Sequence, residues 1–463
     1  MKMTVSIRDL EAWDKEYVWH PFTQMKAYRR EKPLIIEHGE GSYLYDIEGK
    51  KYLDGYSSLW VNIHGHNHPE LNAALAEQAG KIAHSTLLGA ANVPSVLLAK
   101  KLVDSTPTNL TKVFYSDSGS TSVEIALKMA YQYWQLKDPV RFAGKKNTFI
   151  SLREAYHGDT IGSVSVGGME TFHHIFHPLL FKRLETPAPY TYRLTENNDE
   201  EACKAMCLDS LEAILMESHD EVAGLIIEPL VQGAAGMITA PAGFLRGVRE
   251  LCTRYNVLMI ADEVAVGFGR TGTLFACEQE QVEPDFLCIA KGLTAGYLPL
   301  AATLTTEEIF EAFLGEPEEL RTFFHGHTYT GNQLACAVAL KNIELIEREG
   351  LLATLPNKIE FLAQKLLLFR ELPHVGDVRQ QGMMIGIELV QDKASKKTFP
   401  AQMQVEHQVI LHARMNGAII RPLGPVIVLM PILSMSMEEL GQLIDITYEA
   451  ISAVTSQAYA LQK

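Results

Sequence analysis

No stretch of the 463-residue chain approaches the roughly 20 consecutive apolar residues that a membrane helix needs, so no membrane span is expected. The first residues, MKMTVSIRDLEAWDKEYVWH, hold no long apolar core and do not read as a secretory leader. Cysteine is sparse. The six thiols (Cys203, Cys207, Cys252, Cys277, Cys288 and Cys336) form no CxxC pair and are expected to be reduced and buried, as in a cytoplasmic protein. Basic residues are outnumbered, 41 Lys and Arg against 56 Asp and Glu. The resulting net charge of −15 repels phosphate backbones and argues against a nucleic-acid partner. Histidine does cluster, at His64, His66 and His68 and again at His173, His174 and His177. Neither set has a ligand pattern such as HExxH, and no metal is expected. Repeats and low-complexity tracts are lacking too.

What remains is an ordinary globular composition, 47% hydrophobic and 21% charged, too apolar for disorder and too long for one core. From about Lys112 to Thr306, short apolar runs alternate with helical patterns. KVFYSDSG (112–119), NTFISL (147–152), GLIIEPL (224–230), VLMIADEV (257–264), FLCIAKG (286–292) and AATLTT (301–306) read as strands. Most are apolar throughout, as strands covered on both faces by helices should be. Between the first two lies STSVEIALKMAYQYWQLK (120–137), which places Val123, Leu127, Ala130 and Trp134 on one helical face. This is an α/β pattern with a mainly parallel central sheet. The flanks differ. LIIEHGEGSYLYDIEGKKYLDG reads as a hairpin with Glu-Gly turns. Beyond Ala335 a helical stretch precedes MMIGIELV (383–390), AIIRPLG (418–424) and VIVLMP (426–431), which suggest a smaller sheet. The expected organisation is a large domain over 61–335 and a smaller α+β domain built from 1–60 and 336–463.

Two of the apolar strands end in chemistry. IADEV puts Asp262 at a strand's carboxyl end, where open α/β sheets bind ligands. CIAKG puts Lys291 just after another buried strand, an unusual place for lysine. Taken singly, these are a surface acid and a snorkelling lysine. Taken together, they match two needs of pyridoxal phosphate: an amine to condense with its aldehyde, and an acid to keep its ring nitrogen protonated. Ser118, Gly119 and Ser120 lie between a strand and a helix, where free N–H groups can hold a phosphate, or where serine simply caps the helix. Tyr156, in YHGDT after a strand, could cover a ring face or be an ordinary interface aromatic. GFGRTG (267–272) lacks the strand-then-helix setting of a nucleotide loop and is expected to shape a turn beside the site. EPEE (316–319) reads as a solvated loop.

DSGS, YHGD, IIEP, ADEV-x-x-GFGRTG, the lysine of AKG and HGHTYTGN (325–332) occur in this order, and over nearly its whole length the chain resembles the class III aminotransferases. WHPFTQM (19–25), IHGHNHP (63–69), LKMAYQYW (127–134), YHGDTIGSVSVG (156–167) and RPLG (421–424) are similar to the biotin-pathway members, which aminate 8-amino-7-oxononanoate. The resemblance implies fold type I, pyridoxal 5′-phosphate as cofactor and a homodimer. It implies that Lys291 carries the cofactor and moves protons, and that Asp262 binds the ring nitrogen. Ser118, Gly119 and Ser120 would hold the phosphate, helped by Thr328 of the neighbouring subunit, and Tyr156 would stack on the ring. Substrates would meet Phe22, Leu59, Trp60, Tyr156, Lys291 and Arg421, with Arg421 on the acceptor's carboxylate. Members that use S-adenosylmethionine as donor resemble WHPYT and SSWW where this chain has Phe22 and Leu59. The changed pocket and the likeness to Bacillus-type members point towards lysine as donor. Another class III transaminase of ω-amines, and more distantly a non-catalytic cofactor-binding protein, are the alternatives.

Overall fold

The computed structural model describes residues 5–460; residues 1–4, the start of the stretch read above for a leader, lie outside it. The segment expected as one hairpin is a three-stranded antiparallel meander: β1 (Ile36–Glu40), β2 (Tyr43–Asp46) and β3 (Lys51–Asp54). Gly41 and Gly49, both at positive φ, let the chain reverse twice.

The central sheet holds β4 (Leu110–Ser116), β5 (Thr148–Leu152), β6 (Arg183–Thr186) and β7 (Val222–Ile227). After a small ribbon of β8 (Val231–Gln232) and β9 (Ile238–Thr239), it gains β10 (Leu258–Asp262), β11 (Phe286–Ile289) and β12 (Ala301–Thr306). Its order is β4-β12-β11-β10-β7-β5-β6. Only β12 runs antiparallel to its neighbours. The connection from Ile289 to Ala301 carries no α-helix, only a 3-10 turn at Lys291–Thr294, and so returns antiparallel rather than crossing over.

Both faces of the sheet are covered, and the strands show it residue by residue. Leu258, Ile260, Phe286 and Cys288 pack with the helix Gly119–Lys137 on one face, while Met259, Ala261, Leu287 and Ile289 join the larger core on the other. Val123, Leu127, Ala130 and Trp134 are all buried, as their spacing predicts, and the Trp134 indole N–H donates to the Ala223 carbonyl at 2.8 Å. A buried side chain of the size of Val123 or Leu127 contributes about 1.5–3 kcal/mol.

Helices Gln333–Arg348 and Leu351–Arg370 lead to a second antiparallel sheet. Its strands are β13 (Val375–Gln381) and β14 (Met384–Leu389), followed by β16 (Arg421–Leu423) and β17 (Val426–Leu429). Between them, β15 (Ala418–Ile419) pairs in parallel with β3, so the C-terminal segment completes the N-terminal sheet. The turn GFGRTG ties these parts together: the buried Arg270 donates to the carbonyls of Asn62 (2.6 Å) and Pro431 (2.8 Å). All six cysteines are buried and unpaired. Among the described residues no helix is long and apolar enough to cross a membrane.

Candidate active site

The carboxyl ends of β4, β5, β7, β10 and β11 share one edge of the sheet, and a cavity of about 420 Å³ opens there. Each strand delivers its residue just past its end. β4 leads to Ser118, Gly119 and Ser120, β5 to Tyr156 and His157, β7 to Glu228, β10 to Asp262 and β11 to Lys291, and all of them line the cavity. A parallel sheet produces this convergence without any long-range coincidence in sequence.

Asp262 is buried and doubly held. Its Oδ2 lies 2.7 Å from His157 Nδ1, and its Oδ1 accepts the Val264 N–H at 3.1 Å. The His157 Nε2 is buried without a partner, as is the Trp60 indole Nε1. Lys291 adopts a positive φ of 44° and sets its Nζ 4.8 Å from the centroid of the Trp60 ring. Burial pushes its amine below the ordinary lysine value, against the opposing charges of Asp262 and Glu228. A lysine that sheds its proton easily has more of its amine free near neutral pH to act as a nucleophile or to accept a proton.

At the start of the helix Gly119–Lys137, Ser118 caps through its hydroxyl, which accepts the Thr121 N–H at 3.3 Å. A Cβ at Gly119 would come within 2.6 Å of Val264 Cγ1, and one at Gly158 would collide with Ser120. The Ser120 hydroxyl accepts the Asp159 N–H at 3.2 Å. Tyr156 donates its hydroxyl to Asp159 at 2.7 Å and runs nearly parallel to the His173 ring, 19° apart in plane.

Trp60 reaches this site through strained backbone. Ser57, Ser58, Leu59 and Trp60 all have φ between 48° and 75°, a left-handed turn without a glycine. Such a conformation costs about 1–2 kcal/mol per residue. Asp54 offsets it: this fully buried carboxylate accepts the Ser58 N–H (2.9 Å) and the Ser58 hydroxyl (2.7 Å), and pairs with His66 at 3.0 Å. The Ser57 hydroxyl donates to the Met430 carbonyl at 2.7 Å. The outcome is an indole packed on Gly233 and over Lys291.

Glu228 is the other buried acid. Its oxygens accept the N–H groups of Tyr156 (3.1 Å) and Gly233 (3.0 Å). Burial pushes its carboxyl up to about 7; His157 and the two N–H groups oppose this and Asp262 adds to it. Because the folded value exceeds the unfolded one of about 4.3, its contribution to stability is complete below that pH and is lost as pH rises towards 7. Glu228→Gln should therefore gain on the parent by about 3 kcal/mol between pH 4 and pH 8. Denaturant unfolding of both proteins across that range checks this; a constant difference would contradict it.

Residues 25–451 match the family described as aminotransferase class-III. A relative from Geobacter sulfurreducens, named adenosylmethionine-8-amino-7-oxononanoate aminotransferase, is 54% identical over 98% of each chain. The chain is a class III aminotransferase. The crystal structure of a like-named enzyme from Methanocaldococcus jannaschii superposes with a TM-score of 0.91 at 49% identity, covering 97% of this chain and 99% of the other. An (S)-enantioselective omega-transaminase from Thermomicrobium roseum gives 0.92 at 37% identity, covering 98% and 100%. This aminotransferase thus has the fold of class III transaminases, and its family works with pyridoxal 5′-phosphate. The cavity fits that group. It offers a desolvated amine, a buried carboxylate on the same strand edge, a glycine-lined helix start and two buried ring nitrogens without partners.

The remaining residues singled out in the sequence lie apart from this cavity. Phe22 and Arg421 line a second cleft of about 570 Å³, between the N-terminal segment and the helix Val405–Met415. Leu59 and Thr328 are exposed and line neither. An aromatic path joins the two clefts: Phe22 lies 5.4 Å from Phe172, which lies 6.5 Å from Tyr156. A larger cleft of about 870 Å³ opens at the opposite end of β10, but its cations are already paired, Arg249 with Asp285 and Lys137 with Glu308, both at 2.7 Å. Sequence reasoning assigned no role to His157 and Glu228. Both sit in motifs it had quoted, YHGD and IIEP, and only the fold brings them to Asp262.

Proposed function

We propose that this aminotransferase aminates 8-amino-7-oxononanoate to 7,8-diaminononanoate, a step of biotin biosynthesis, with lysine or S-adenosylmethionine as donor. The observation that carries this is the 54% identity, over 98% of both chains, to a relative named for that acceptor. That relative's name also carries adenosylmethionine, whereas Phe22 and Leu59 motivate lysine; a donor half-reaction with each decides.

When bound, pyridoxal 5′-phosphate supplies the electron sink and carries the amino group between donor and acceptor. Lys291 would hold the cofactor through its amine and would move the proton at the amine-bearing carbon of the substrate. Its lowered basicity suits both tasks. Asp262, fixed by His157 and the Val264 N–H, holds the proton on the ring nitrogen. The N–H groups of Gly119 and Ser120, with Ser118, receive the phosphate, and Tyr156 and Trp60 cover the ring and exclude water. Arg421 takes the acceptor's carboxylate by paired N–H donors. Thr328 serves the neighbouring subunit of a cytoplasmic homodimer. Support for a dimer is the run of exposed apolar residues near it, including Leu88, Val93, Phe324 and Tyr329.

The purified enzyme should turn over 8-amino-7-oxononanoate faster than pyruvate or 2-oxoglutarate. The reverse order would favour the second reading, a transaminase of other ω-amines, which the Thermomicrobium likeness supports. Arg421→Ala should lower kcat/KM for the oxononanoate by about 30-fold or more, as expected for about 2 kcal/mol from a broken charge pair. An equal loss in the donor half-reaction with an amine lacking a carboxylate would count against that role.

A further inference from the structure

The cleft that holds Arg421 contains a second arginine, Arg414, in the last turn of the helix Val405–Met415. The acids around the cleft are engaged elsewhere. Asp14 pairs with His20 (2.9 Å) and accepts the Tyr28 hydroxyl (2.6 Å). Glu31 pairs with His407 at 2.9 Å, and Glu48 pairs with Lys32 at 2.6 Å. Neither arginine has a carboxylate partner among the described residues, and the Arg414 Nε is buried with no hydrogen-bond partner at all.

Both arginines line this one cleft, and an anion held there would meet the planar donor fork that distinguishes arginine from lysine. They act on common ground: both stabilise the ionised form of the Tyr56 hydroxyl, which burial otherwise pushes up. Tyr56 leads directly into the left-handed turn that carries Trp60, and Phe22, on the cleft wall, begins the aromatic path to Tyr156. The cleft therefore flanks the lysine cavity along an apolar wall.

We propose that Arg414 is a specificity-determining residue which, with Arg421, clamps the carboxylate at the far end of a medium-length aliphatic substrate. This rests on the proposed acceptor for its chemistry, but the cleft can be tested without turnover. The probe is octanoate, with 1-octanol as the uncharged control, titrated calorimetrically into the cofactor-loaded enzyme. Arg414→Gln should weaken octanoate binding at least tenfold, and Arg414→Lys should weaken it less. The kcat/KM preference for 8-amino-7-oxononanoate over its methyl ester should fall at least tenfold in Arg414→Gln. Unchanged octanoate affinity in Arg414→Gln would overturn the proposal, as would an equal loss for octanol, which would make Arg414 a packing residue. If the parent enzyme binds octanoate through Arg414 yet never aminates the oxononanoate, the acceptor assignment fails and the anion clamp stands.

Discussion

Lys291→Ala should stop multiple turnover, with kcat falling by about ten-thousand-fold or more, because the variant loses both roles proposed for this lysine, the amine that would hold the cofactor and the base that would move the substrate proton. The fold should survive. The Lys291 amine is desolvated, and burial lowers its basicity, so its removal relieves a cost rather than breaking an ion pair. The unfolding midpoint of the cofactor-free variant should therefore match or exceed that of the cofactor-free parent. The measurement is steady-state kinetics beside thermal unfolding. Normal multiple-turnover rates in Lys291→Ala would sink the catalytic assignment, and a collapsed midpoint would show the lysine to be structural.

Asp262→Asn should lower kcat by about a hundred-fold or more, the scale of losing one preorganised charge contact at a reacting group. The substitution keeps the volume, and the amide oxygen can still accept the Val264 N–H, now made by Oδ1 at 3.1 Å. The lost element is the negative charge that His157 orients at 2.7 Å. The effect belongs in kcat more than in the KM of either substrate, because the role proposed for Asp262 is at the cofactor's ring nitrogen and not at the substrate. A variant with parental kcat, or one whose whole loss sits in KM, would contradict the role.

The fold and part of the candidate site were legible in the chain because burial writes itself into sequence. Runs such as VLMIAD and FLCIA are apolar at every position because both sheet faces are covered, and the first polar residue after each, Asp262 or Lys291, marks where the strand leaves the core. β6 (Arg183–Thr186) escaped notice because it is an edge strand with polar residues and little buried surface. The antiparallel direction of β12 follows from the connection through Lys291, not from the composition of AATLTT. The turn at Ser57–Trp60 was illegible for a different reason. Left-handed backbone is normally announced by glycine, and here SSLW has none; the conformation is imposed by Asp54, His66 and the Met430 carbonyl, far apart in sequence. Likewise, RPLG shows an arginine before a proline, but nothing in it shows that Arg421 shares a cleft with Phe22 and Arg414 rather than with Lys291.

The proposed reaction moves an amino group onto 8-amino-7-oxononanoate. Single-turnover absorbance spectroscopy of the cofactor-loaded enzyme reaches it most directly, with lysine or S-adenosylmethionine added first, the oxononanoate second, and the product weighed by mass spectrometry. One of the two donors should change the cofactor's spectrum, the oxononanoate should restore it, and one equivalent of 7,8-diaminononanoate should appear per site. Restoration by pyruvate or 2-oxoglutarate but not by the oxononanoate, with no diamine formed, would contradict it.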